Sequence, residues 1–142
     1  MRLCDAFEIG DFDTKSTLSW ALEKCSEKKE RFCAQMARNG NLELLEFLRA
    51  KGCPWDERTC FCAAKNGHLE CLKYAHENGC PWNEEICFAA ASGGHLECLK
   101  YAHGKGCPWD EDTCEYAAKY GHLECLRYAH DNGCPWDKWT CR

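Results

Sequence analysis

Apolar and polar positions along this chain recur with a single step. Cys53 to Gly79 reads CPWDERTCFCAAKNGHLECLKYAHENG, and two close copies follow, Cys80 to Gly106 and Cys107 to Gly133, each 27 residues long. A fixed period of about 20–50 residues marks a stack of identical supersecondary units. Each unit carries the pattern of two antiparallel helices. On the first, Cys60, Ala63 and Ala64 stand at i, i+3 and i+4 and form one narrow face of small side chains. On the second, Leu69, Leu72 and Ala75, with Cys71, form an apolar stripe, while Glu70 and Lys73 lie outward. Asp56, Asn83, Asp110 and Asp137 occupy the place where an N-cap is needed. Glu57, Glu84, Glu85, Glu111 and Asp112 add the first-turn negative charge that a helix dipole favours. The first helix is predicted to stop at Asn66-Gly67, Gly93-Gly94 and Tyr120-Gly121, where glycine supplies a left-handed residue. The second is predicted to run from His68 or Leu69 to about Glu77 and to stop at Asn78-Gly79, ahead of Pro81, which cannot continue a helix.

Helices of about ten residues are marginal alone, so each pair must bury its faces on the next. The expected fold class is all-α, a helical solenoid of antiparallel helix pairs in which the stack is the unit of stability. Residues 26–52, 53–79, 80–106 and 107–133 are the expected repeats of a single domain spanning 1–142. The first of these is diverged, with Ser26-Glu27-Lys28 in place of Cys-Pro-Trp, and residues 1–25 form a degenerate N-terminal unit. Terminal repeats are commonly atypical because one side meets solvent. Residues 134–142 open a further partial unit, which points either to truncation or to a crude cap.

Charge and composition narrow the functions. A net charge of −5 and the lack of any Lys/Arg run argue against a nucleic-acid partner. Residues 1–25 lack the basic start and continuous apolar stretch of an export signal, and no apolar run is long enough for a membrane span. A soluble, cytoplasmic chain in a reducing compartment is expected. The 15 cysteines are odd in number and mostly fixed within the repeat. Equivalent cysteines of neighbouring units would stand about 8–10 Å apart, beyond the roughly 7 Å between Cα atoms that a disulfide tolerates. They are expected to be reduced and to serve as small buried apolar side chains.

Two chemical roles compete with packing for the recurring histidines and cysteines. His68-x-x-Cys71 recurs as His95-x-x-Cys98 and His122-x-x-Cys125, with His76, His103 or His130 added in each unit. Side chains at i and i+3 share a helix face, but a structural zinc site needs four converging ligands, so no cofactor is expected. Any Cys/His dyad would occur three times over, and there is no phosphate-binding glycine loop or nucleophile elbow. The chain is therefore expected not to be an enzyme and to have no small-molecule substrate.

The stretch Ala63-Ala64-Lys65-Asn66-Gly67-His68-Leu69-Glu70, continuing to Asn78-Gly79, resembles the ankyrin repeat, and the likeness runs from about residue 26 to 133. Cys60 falls at the Leu of the family's Thr-Pro-Leu-His segment, and Arg58-Thr59 where Thr-Pro would stand. Cys71-Leu72 matches the paired valines and Tyr74-Ala75-His76 the three leucines. Ankyrin repeats have about 33 residues, and the deficit here falls between Asp56 and Thr59, where the family places its β-hairpin finger. The pattern is similar to short, Cys-Pro-Trp-containing ankyrin-like arrays of large-virus, algal and protist proteins. The resemblance implies a fingerless all-α solenoid that binds proteins, with His68 a structural residue. Trp55, Trp82, Trp109 and Trp136 recur in the shortened connection and are expected to fill the space the finger leaves.

Binding should lie where the copies differ. Arg58 is followed at one-repeat intervals by Glu85 and Asp112, Phe61 by Phe88 and Glu115, Cys62 by Ala89 and Tyr116, and Asn66 by Gly93 and Tyr120. At about 100° per residue these positions, with Lys65, lie on the first helix opposite the Cys/Ala face. The candidate surface is therefore Arg58, Phe61, Lys65, Glu85, Phe88, Asp112, Glu115, Tyr116 and Tyr120, basic at one end and acidic at the other. The expected function is non-enzymatic binding of an unidentified protein partner. The alternative is a thiol- or zinc-dependent regulatory protein on the same scaffold.

Overall fold

In the computed structural model, residues 15–24 and 29–135 are described. Among the described residues, one helix, α1 (Lys15–Lys24), precedes four helix pairs. These are α2 (Glu30–Asn39) with α3 (Leu42–Ala50), α4 (Glu57–Lys65) with α5 (Leu69–Glu77), α6 (Glu85–Gly93) with α7 (Leu96–Gly104), and α8 (Glu111–Lys119) with α9 (Leu123–Asp131). There is no strand among the described residues, so the shortened connection holds no hairpin finger there.

Local chemistry sets the helix bounds. Asp56 accepts the Arg58 amide at 3.0 Å, Asn83 the Glu85 amide at 2.9 Å and Asp110 the Asp112 amide at 3.1 Å. Asp137, the fourth such residue, lies outside the described residues. The first helices end in a Schellman closure: around Gly67 (φ 77°), the His68 amide reaches the Ala63 carbonyl at 2.8 Å and the Gly67 amide reaches Ala64 at 3.3 Å.

The first helices α2, α4, α6 and α8 pack on one another as a continuous layer, and α3, α5, α7 and α9 form an outer row, each against its own partner. Cys60, Ala63, Ala64, Cys87, Ala90, Ala91, Cys114 and Ala117 are completely buried at the layer's centre. Their small size lets neighbouring backbones approach closely. Leu45, Leu48, Leu72 and Leu99 close the core from the outer row.

Two further contacts join unit to unit. The ring of His68 lies over Gly40, that of His95 over Gly67 and that of His122 over Gly94, each on the glycine that ends the preceding first helix. The His122 Nε2 stands 3.1 Å from the Ser92 carbonyl oxygen, and His95 bonds the Lys65 carbonyl in the same way. A Cβ at any of the three glycines would run into the ring. The tryptophans form the second contact. Trp82 stacks on His76 at 3.7 Å and meets Tyr101 edge-on at 6.3 Å, and Trp109 repeats this with His103 at 3.8 Å and Tyr128 at 6.1 Å. Trp55 has the Arg49 guanidinium over its ring at 4.0 Å in place of histidine. These rings are half-buried against the outer row and are not core residues. Trp136 lies outside the described residues.

Trp82→Ala should cost about 2 kcal/mol in urea melts, the half-buried area plus one stacking pair; a variant that melts with the parent would show that the ring does not brace the stack. Gly67→Ala and Gly121→Ala share nearly the same strained φ of 77° and 75°, but among the described residues only Gly67 of the two has a ring against it, none lying within 4 Å of the Cβ position at Gly121. The first should be more destabilising by at least about 1 kcal/mol, and equal thermal shifts would remove the His95 ring as the cause.

Candidate functional site

With the Cys/Ala side turned inward, the opposite side of the first-helix layer is presented outward. Glu85, Asp112 and Glu115 are exposed, Phe61, Phe88 and Tyr116 are half-buried, and Tyr120 is 52% exposed. The layer brings residues of different units together. Phe88 and Tyr116 meet edge-on with ring centroids 4.8 Å apart, and Tyr116 lies 6.0 Å from Tyr120. Lys119 holds its ammonium 5.2 Å and 5.7 Å from those two tyrosine rings. Phe61 instead packs against the core.

The basic members are already engaged. Arg58 donates to Asp56 at 2.8 Å and to Glu30 at 3.4 Å, and the Asp56 bond raises its pKa further above the ordinary arginine value. Lys65 donates to the Ser92 hydroxyl at 2.9 Å, which itself donates to the Ala89 carbonyl at 3.2 Å. The acidic members have no such partners among the described residues. Glu85 and Asp112 line an open hollow of about 280 Å³ together with Glu84, Phe88 and Asp110. No ion pair involves Glu84, Glu85, Asp110, Asp112 or Glu115 among the described residues. Helix-start chemistry alone accounts for Glu84 and Asp110 in the sequence, which hid their place in the hollow. Lys119 carries a sequence signal, its i+3 spacing from Tyr116 beside Tyr120.

The cysteines are arranged in a way their periodicity conceals. Equivalent cysteines do not meet, but different classes do, a first-helix cysteine of one unit with the cysteine that opens the next. The Cys80 thiol donates to the Asp56 carbonyl at 3.2 Å, Cys107 to Asn83 at 3.1 Å, Cys53 to Lys29 at 3.2 Å and Cys134 to Asp110 at 3.3 Å. Each sulfur thereby sits at the start of a first helix, within hydrogen-bonding reach of the thiol of Cys60, Cys87, Cys33 or Cys114 respectively. Those bonds, then burial, push the Cys33, Cys60 and Cys87 thiols well above the ordinary range. Burial, with a neighbouring glutamate, raises Cys71, Cys98 and Cys125 to about 11. All 12 described cysteines are free, and 11 of them are buried.

The histidines of the recurring His-x-x-Cys spacing face the glycines, while His76 and His103 face tryptophans. No group of three or more metal-ligating side chains occurs among the described residues. No described helix is long and apolar enough to cross a membrane. Peptide mapping after brief iodoacetamide treatment of the native chain should find Cys62, which is half-buried, alkylated at least about 10-fold faster than Cys60 or Cys71. Equal labelling of the three would contradict the burial of the first-helix face.

A family model for ankyrin repeats in many copies matches residues 32–76 and 60–103. No curated protein matches the chain.

Proposed function

The chain belongs to the ankyrin-repeat family, and from that premise we propose that it is a non-enzymatic protein-interaction module whose partner docks on the exposed face of the first-helix layer. The observation that carries this reading is the contrast between the two faces. The outer row repeats one solvated pattern, Glu70 with Lys73 at 3.8 Å and Glu97 with Lys100 at 3.5 Å. The first-helix face changes from unit to unit and gathers half-buried aromatic rings among exposed charges, the composition of binding hot spots. Arg58, Phe61, Lys65, Glu85, Phe88, Asp112, Glu115, Tyr116 and Tyr120 are the proposed docking residues of a single repeat domain. A reducing, cytoplasmic setting suits free, buried thiols. Thiol-dependent regulation is a second reading, favoured by the four thiol pairs; if treatment with hydrogen peroxide leaves partner affinity unchanged, it is ruled out.

Reversal of Arg58 is a poor test, because a carboxylate there would face Asp56 and Glu30 and mix folding with binding. Tyr120→Ala with Glu115→Lys changes exposed groups only. Against a partner captured from the native cell and then purified, that double variant should bind at least about 10-fold more weakly. Glu97→Lys with Lys100→Glu should bind as the parent does. The opposite result would place the partner on the outer row.

A further inference from the structure

The repeat contains its own precedent for what belongs in the acidic hollow. Where α2 meets α4, Arg58 sets its guanidinium between Asp56 at 2.8 Å and Glu30 at 3.4 Å. One repeat further on, the same three positions are Glu85, Asn83 and Glu57, and two repeats on they are Asp112, Asp110 and Glu84. At the junction of α6 and α8 the two carboxylates of the Arg58 cradle therefore persist as Asp110 and Glu84, while the cation has become a third carboxylate. Glu85 adds a fourth, and Phe88, one repeat after Phe61, lines the same hollow.

Helix starts favour carboxylates, and Asp110 has a capping bond to the Asp112 amide at 3.1 Å. Neither fact distinguishes this junction from the first, where the same field coexists with a guanidinium held among the acids. What differs is the missing cation. Four carboxylates facing one open hollow repel one another, and an external positive group relieves that repulsion. A planar fork that bonds two carboxylates at once and lies against an aromatic ring describes arginine better than lysine.

We infer that the hollow formed by Glu84, Glu85, Phe88, Asp110 and Asp112 is a subsite for an arginine side chain carried by a basic segment of the protein partner. Its guanidinium takes, between Asp110 and Glu84, the place that Arg58 takes between Asp56 and Glu30. This rests on the reading of the first-helix face as the docking surface, and it assigns that partner a chemical class.

A random 12-residue peptide display library, selected on the immobilised full-length chain, supplies the probes, and the affinities of synthesised winners are read by fluorescence anisotropy. The selected sequences should share an arginine whose replacement by alanine weakens binding at least about 10-fold, and by lysine less. Asp112→Arg returns the chain's own cation to the hollow and should weaken these peptides at least about 10-fold with helix content unchanged. Asp112→Asn, which adds no bulk, should weaken them several-fold and guards against a misfolded arginine variant. The subsite is overturned if winners lack basic residues, if nothing is enriched, or if arginine peptides ignore both substitutions at Asp112. Neutral or acidic winners that lose affinity with Tyr120→Ala would overturn the subsite and leave the docking face standing. Winners that respond only to Glu97→Lys with Lys100→Glu would overturn the face itself.

Discussion

A histidine ring laid on a left-handed glycine fixes how each unit of this chain meets the next. Gly40, Gly67 and Gly94 hold φ between 74° and 77° to end a first helix, and each is then covered by the ring of His68, His95 or His122 from the following unit. Two independent demands meet at one residue: a backbone conformation that disfavours a Cβ, and a ring that leaves no room for one. Because the same contact recurs at each of these junctions, successive first helices are held in one register. Positions 58, 85 and 112 then fall in a column, and so do 61, 88 and 115. The first-helix face is a grid whose rows the sequence changes independently.

Shortening the repeat removes surface, and the structure recovers it in an unexpected place. Trp55, Trp82 and Trp109 are each clamped between a residue of the preceding second helix and a tyrosine, His76 and Tyr101 for Trp82. The brace therefore lies along the outer row, away from the Phe88, Tyr116 and Tyr120 rings of the first-helix face. The proposed docking face is the helix layer itself, made by side chains of α4, α6 and α8.

Periodicity made most of the fold legible. Cys60, Ala63 and Ala64 predicted a tight helix face, and all three are completely buried; Asp56, Asn83 and Asp110 predicted helix starts, and each accepts the expected amide. What periodicity could not show was contact between different repeat positions. The Cys60 thiol meets the Cys80 thiol because the chain after α5 returns to the start of α4, a path set by loop geometry and absent from any helical wheel. The engagement of Arg58 by Glu30 is hidden for the same reason, since the two are 28 residues apart. A wheel assigns each side chain to a face but says nothing of whether a neighbouring unit has already satisfied it.

That distinction decides the electrostatic character of the surface. Counted from the sequence, the face runs from basic to acidic; counted after internal pairing, its basic end is largely occupied and its acidic end is open. Exposed ion pairs of this kind contribute little to folding, about 0–1 kcal/mol each, so the column at 58, 85 and 112 is free to change sign without endangering the stack. The caps beside it are more constrained, because Asp56, Asn83 and Asp110 each hold a helix-start amide. Where the cap is an acid, as Asp56 with Glu30 and Asp110 with Glu84, the junction carries two carboxylates, and where it is Asn83 it carries one. At the first of these junctions the variable residue of the column, Arg58, lies between both carboxylates; at the last it is Asp112, and on the proposed reading a partner would supply the cation. Such a site is screened over about 8 Å at physiological salt, so its selectivity rests on the close geometry of the acids and the Phe88 ring more than on the net charge of the chain.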